Sequence, residues 1–320
     1  MEPVAMWHDR LGPLLAVCAV ALVAGCAGVG DSGAGSRGGP GIVLAPGQIE
    51  GTLAQAAADQ RDRRLDKALS GYLAVLTTDP GNTRARDGAA DTCLAMGNAG
   101  LALKMYDSAP SDQAERPQAL QGRGLALLQA GGDEAARDLL VRAVNADPSL
   151  WRSWNGLALL HDRQHEWVQA DAGYRSAADA NPEAAEVFNN WGYSLLQRGD
   201  RDAAIAYFQQ ALRIDPALEA AGNNLVLAMA LQGQYERALA ASPAAGLPVA
   251  LNNVGFAAIV RGDYDSAETY LVRAVQASPR YFERASENLR WLNYLRAGES
   301  EAARMMTPLR RAEDRSGNRR

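Results

Sequence analysis

A chain of 320 residues has the length of two or three ordinary domains, but its 62 alanines, 31 glycines and 4 phenylalanines favour closely packed helices over a sheet of β-branched and aromatic residues. Charged side chains make up 22% of the chain and sum to a net charge of −5, which gives no reason to expect a nucleic-acid binder, since that would need a basic face. A single apolar stretch, at the N-terminus, excludes the pattern of a multipass membrane protein.

That stretch, residues 11–25, has the length of a signal-peptide core and falls short of the roughly 20 residues a spanning helix needs. It ends in Val23-Ala24-Gly25-Cys26, which resembles the lipobox of bacterial lipoproteins. The resemblance implies removal of residues 1–25, a diacylglycerol on the Cys26 sulfur and acylation of the new N-terminus. One acyl chain binds a membrane reversibly, and two or three bind it stably, at about 0.8 kcal/mol per buried methylene. The next residue is Ala27 and not the aspartate that retains many lipoproteins at the inner membrane, so the expected location is the periplasmic face of the outer membrane. On this reading Cys18 leaves with the signal and Cys26 carries lipid. Only Cys93 remains, as a small buried thiol among Ala89, Ala90 and Leu94, and no internal disulfide is expected. Residues 26–48 follow as a tether; the stretch 28–47 holds eight glycines and two prolines and reads as flexible coil with a reach of roughly 25 Å.

From residue 49 the chain repeats itself. Ala68, Ala102, Ala136, Ala170, Ala204 and Ala238 are each 34 residues apart. Tyr72, Tyr106, Leu140, Tyr174 and Phe208 keep a second register, Ala109, Ala143, Ala177 and Ala211 a third, and Ala90, Gly124, Ala158 and Gly192 a fourth. Small residues let two helices cross closely, the larger one fills the gap to the next unit, and Pro80, Pro148, Pro182 and Pro216 punctuate the passage between units. The pattern resembles the tetratricopeptide repeat, a helix–turn–helix of 34 residues. It implies an all-α fold, a right-handed α-solenoid of about seven repeats at 49–82, 83–116, 117–150, 151–184, 185–218, 219–247 and 248–281. Asn189-Asn190-Trp191-Gly192-Tyr193 returns as Asn252-Asn253-Val254-Gly255-Phe256 after 63 residues, five short of two repeats. The deletion falls near Ser242-Pro243 and Gly246-Leu247-Pro248, so the second helix of the sixth unit should end early and kink the superhelix. Residues 282–303 place Phe282, Ala285, Leu289 and Leu292 on one face and read as a capping helix. The tail 304–320 holds six arginines against Glu313 and Asp314 and reads as a solvated segment.

Chemistry-bearing motifs are scarce. His161 and His165 stand four apart, which could hold a metal on one helical face, but no third ligand accompanies them and no metal or other cofactor is expected. Gly97-Asn98-Ala99-Gly100 follows no strand and reads as an interhelix turn, as does Arg-Gly-Asp, which occupies one repeat position at both 198–200 and 261–263. The repeats leave no room for a catalytic domain, and no enzymatic activity is expected. In tetratricopeptide proteins the fifth, sixth and ninth residues of each first helix line a concave groove. Carried over, these are Asn155, Asn189, Asn223 and Asn252; then Asn190, Asn224 and Asn253, with Gly156 breaking the row; then Leu159, Tyr193, Leu227 and Phe256. Asparagine is a poor helix former, so its recurrence calls for another reason. Two remain open: carboxamides that hold the backbone of an extended peptide, or carboxamides that bond neighbouring helices to each other.

The string at 189–196, with Asn-Asn-Val-Gly-Phe and Arg-Gly-Asp-Tyr-Asp through Phe-Glu-Arg-Ala over 252–285, is similar to the lipoprotein of tight-adherence (Flp) pilus systems. That resemblance implies a pilotin-like partner of the outer-membrane secretin. An adaptor for a periplasmic protease or peptidoglycan hydrolase would share the same anchor and groove.

Overall fold

The computed structural model describes residues 43–243, 246–277 and 283–298. Cys26, the signal segment, Phe282 and the arginine-rich tail lie outside the described residues. Regular structure among the described residues is helical throughout, and the chain forms two compact units, Met1–Glu183 and Ala184–Arg320.

In the first unit the helices run in pairs: α1 (Ile49–Arg61) with α2 (Leu65–Thr78), α3 (Thr83–Ala95) with α4 (Ala99–Asp107), α6 (Pro117–Ala130) with α7 (Asp133–Ala146), and α8 (Trp151–Arg163) with α9 (Trp167–Ala180). A single turn, α5 (Ser111–Ala114), separates α4 from α6. The second unit pairs α10 (Ala185–Gln197) with α11 (Arg201–Ile214), α12 (Glu219–Leu231) with α13 (Tyr235–Ala240), and α14 (Leu247–Val260) with α15 (Tyr264–Ala277). A final helix, α16, spans residues 283–298.

The small-residue register is the core. Ala68, Ala102, Ala136, Ala170, Ala204 and Ala238 are all fully buried, as are Leu140, Tyr174 and Phe208. Gly192 shows why the first helix carries a small residue there: a Cβ would stand 2.8 Å from Cε1 of Phe208. Burial of one such large side chain contributes about 1.5–3 kcal/mol.

Each first helix ends the same way. The backbone is left-handed, φ 57–84°, at Arg63, Gly97, Gly131, His165, Gly199, Gly233 and Gly262. One residue later an N–H reaches back into the helix: Arg64 to Asp59, Asn98 to Cys93, Gly132 to Leu127, Glu166 to His161, Asp200 to Leu195, Gln234 to Met229 and Asp263 to Ala258, all at 2.8–3.1 Å. This is the Schellman closure, which satisfies carbonyls that a helix end would otherwise leave orphaned. The two Arg-Gly-Asp strings are this closure: glycine takes the left-handed position, and the Asp200 and Asp263 carboxylates accept from the N–H of Ala203 and Ser266. Gly97-Asn98 is the same turn, with Asn98 capping α4 through the Leu101 N–H.

Three expectations are corrected. The second helix of the second repeat stops at Asp107, so Ala109 lies beyond it and does not join the helical register of Ala143, Ala177 and Ala211; Pro110, which cannot continue a helix, sets this end. The last residues of the expected tether are packed: Pro46–Gln48 form a 3-10 turn, the Leu44 N–H donates to Thr78 Oγ1 at 2.9 Å, and the Leu44 side chain lies on the core around Leu53 and Tyr72. His165 lies past the end of α8 in the left-handed region, so it does not share a helical face with His161. The sixth repeat does have a short second helix, the six residues Tyr235–Ala240, and α12 packs directly along α14. The last helix buries Ala285 and Leu292 completely and half-buries Leu289.

Candidate partner-binding face

Asparagine recurs on the first helices of the second unit, where its side chains form a row from helix to helix. Asn189, Asn224 and Asn252 are buried, at 4%, 6% and 3% exposure. Asn224 Nδ2 donates to Asn189 Oδ1 at 3.0 Å, joining α12 to α10, and Asn288 Nδ2 donates to Asn252 Oδ1 at 2.9 Å, joining α16 to α14. Asn253 Nδ2 donates to the Asn223 carbonyl at 3.4 Å, joining α14 to α12. The three buried carboxamides are thus engaged between helices, because a buried amide without a partner forfeits its hydration. Asn190, Asn223 and Asn253 lie on the same helices half-buried, and Asn190 Oδ1 accepts from Asn189 Nδ2 at 3.2 Å. Tyr193 is buried, and Phe256 is half-buried with its ring centroid 6.1 Å from that of Trp291 on α16. Asn155 is half-buried on α8, in the first unit. Asn288 escapes a fixed-spacing reading, because it follows Asn252 by 36 residues and not by 34.

In the first unit one contact between first helices carries charge and another is neutral. Arg152 Nη1 on α8 donates to Asp91 Oδ2 on α3 at 2.9 Å, across 61 residues of sequence. Between them, Gln121 Oε1 on α6 accepts from the Ser153 N–H and hydroxyl, both at 3.2 Å. Asp87, one turn before Asp91, receives both terminal nitrogens of Arg116 at 3.1–3.2 Å. Burial pushes the Asp87 carboxyl above the ordinary carboxylate range and the Asp91 charge adds to that, while Arg116 pulls it back only in part.

The two histidines are engaged within their own turn. His161 Nδ1 lies 2.6 Å from Glu166 Oε2, and the His165 ring meets Trp167 edge-on at 5.0 Å. Among the described residues no three His, Cys, Asp or Glu side chains come together as a metal site. Cys93 is buried at 1% exposure, and burial pushes its thiol up, away from the reactive thiolate.

Residues 185–218, which are α10 and α11 with their flanking turns, match the tetratricopeptide repeat family. Among solved structures, the chain is similar to one in the APC/C hetero-tetramer Cut9-Hcn1, with TM-score 0.56 and 18% identity over 71% of this chain and 46% of that one. It is also similar to a thermophilic tetratricopeptide protein of Thermus thermophilus, with TM-score 0.52 and 19% identity over 57% of this chain and 98% of that one. A curated relative, Protein FlbA of Caulobacter vibrioides, is 38% identical over 71 residues, which is 22% of this chain and only 12% of that protein. The fold is that of a tetratricopeptide α-solenoid, an architecture that serves protein–protein interaction.

Proposed function

We propose that the chain is a lipid-anchored scaffold at the periplasmic face of the outer membrane, which captures protein partners on its first-helix face and assists assembly of a pilus or secretion machine in the manner of a pilotin. The observation that carries the binding role is the asparagine row on α10, α12 and α14: Asn189 with Asn224, Asn253 with the Asn223 carbonyl and Asn252 with Asn288 bond helix to helix, and Asn190, Asn223 and Asn253 lie half-buried on the same helices. The anchor rests on the Val23-Ala24-Gly25-Cys26 string, and the pilus role on the resemblance of 189–196 and 252–285 to the tight-adherence lipoprotein. With lipid fixing the scaffold in the membrane, a modest affinity for a peptide segment gains from the raised local concentration.

Two experiments test this. Cys26→Ser should move the protein from the membrane to the soluble fraction, and continued membrane association in that variant would refute the anchor. Crosslinked co-purification from the native envelope should recover a secretin or other pilus components. Recovery of a periplasmic protease or peptidoglycan hydrolase without pilus proteins would reassign the chain as an adaptor for that enzyme.

A further inference from the structure

The residue just before the first helix of a repeat is Leu150 at α8, Ala184 at α10 and Leu218 at α12, apolar each time and buried or half-buried. Leu150 packs on the core of the repeat before it, at Leu120, Leu139 and Ala143. At α6 the same position is Arg116, and it makes its join by charge: both terminal nitrogens reach Asp87 on α3 at 3.1–3.2 Å. Asp87 also breaks a pattern, because the same repeat position is filled later by the neutral carboxamides of Gln121, Asn155, Asn189 and Asn223. The join is otherwise spare. α4 stops at Asp107, and residues 108–116 follow with the single turn α5. The ties from this segment to α3 and α7 are polar: Arg86 Nη1 donates to Gln113 Oε1 at 2.9 Å, Arg142 bonds Glu115, and Arg116 bonds Asp87. The buried Nε of Arg116 has no acceptor among the described residues, so the guanidinium depends on Asp87.

We propose that Asp87 and Arg116 form an acid-released clasp: with Asp87 ionised the pair holds residues 108–116 and the start of α6 on α3, and with Asp87 protonated Arg116 turns out to water and the join between the second and third repeats loosens. The charged and titratable groups around Asp87 are Arg116, Asp91 and Arg86, with Arg152 of α8 bonded to Asp91 at 2.9 Å and the Tyr106 hydroxyl of α4 at 3.5 Å from it. Burial pushes the Asp87 carboxyl up, and Arg116 opposes that only in part, so Asp87 takes its proton at a higher pH than an exposed carboxylate does. A neutral carboxyl gives the guanidinium no counter-charge, and a half-buried cation regains its hydration only by moving outward. Acid unfolding has the opposite sign. The folded chain holds the Asp87 proton more tightly than the unfolded chain, so this protonation adds to global stability while it opens the join.

The test is hydrogen exchange of the full chain, read by mass spectrometry at stepped pH and corrected for the intrinsic rate at each pH. The amides of Ala114, Arg116 and Leu120, which bond the carbonyls of Pro110, Gln113 and Arg116, should lose about tenfold in protection as the pH falls toward the carboxylate range, while those of 133–146 keep theirs. Asp87→Asn should show the low protection already at neutral pH and respond no further, with helix content by circular dichroism unchanged. Asp87→Asn combined with Arg116→Leu gives this join the carboxamide and leucine of the next one, and should restore protection at every pH, a gain that a damaged fold could not show. Protection over 113–120 that stays constant until the whole first unit unfolds, or a pH response that survives in Asp87→Asn, would overturn the clasp.

Discussion

At the scale of single residues, the turn between the helices of each repeat is set by one backbone conformation. Left-handed φ is strained for an L side chain by roughly 1–2 kcal/mol, so Gly199→Ala should lower stability by about that amount in a denaturant titration. Arg63 is exposed and already bears the strain. Arg63→Gly should therefore raise stability by about 0.5–1 kcal/mol, the relief less the backbone entropy glycine forfeits on folding. The buried asparagines are the second residue-scale device. Asn189→Ala leaves the Asn224 amide inside without its acceptor and should cost about 1–3 kcal/mol, and the Asn189→Ala, Asn224→Ala double variant should cost less than the sum of the singles. Asp87 and Arg116 form a third. Removing Arg116 as Arg116→Gln leaves a largely buried carboxylate uncompensated and should cost about 1–3 kcal/mol at neutral pH. The sign follows from linkage: below the ordinary carboxylate range Asp87 is protonated both folded and unfolded, so the loss should shrink as pH falls, and a loss independent of pH would remove charge from the explanation.

At the scale of elements, helix length reports where the repeat has been cut. A full second helix runs 14 residues, as in Asp133–Ala146 or Arg201–Ile214, and buries two alanines with a larger residue between them. Tyr235–Ala240 has room only for Ala238 in that core, and Ala99–Asp107 ends before its second alanine position. A helix of one or two turns gains little from cooperativity. Hydrogen exchange should therefore find the amides of residues 235–240 and 99–107 less protected than those of 133–146 and 201–214; equal protection would mean that packing against the flanking first helices makes up the difference. Successive repeats are also tied end to end. The Leu128 carbonyl near the end of α6 accepts from Arg163 on α8, and within the second unit the Leu231 carbonyl, the last of α12, accepts from Arg261 just beyond α14 at 3.0 Å. These two first helices thus receive a cation at their negative pole from the repeat that follows.

At the scale of the whole molecule, a helix pair cannot bury its own apolar face and depends on its neighbour, so the array must be closed at its end. In the second unit α16 does this through Ala285 and Leu292, through Trp291 against Phe256, and through Arg296, which bonds Glu268 at 2.6 Å and Asp265 at 2.8 Å. Leu292→Asp places a charge where no water reaches and should open this end, lowering the melting temperature and increasing aggregation on size-exclusion chromatography, while a surface change such as Asn293→Asp should do neither. No helix among the described residues is long and apolar enough to cross a membrane.

The sequence by itself determined the repeat, its period and its interruption, because a solenoid stacks the same contact again and again: a position that must be small or large in one unit must be so in the next, and the spacing of 34 records it. It also determined the early end of the sixth repeat, since the five missing residues shift every later register. It did not determine how far the second repeat departs from the pattern, because Pro110 acts through local backbone sterics while the alanine spacing continues past it. Nor could it divide the asparagines. Asn189 and Asn190 are adjacent letters of one type, and only the rotation of α10 against α12 buries the first against Asn224 and leaves the second half-buried. The left-handed positions of Arg63 and His165 were hidden for a similar reason: the turn is imposed by the closure of the helix pair, and the side chain at that position yields to it.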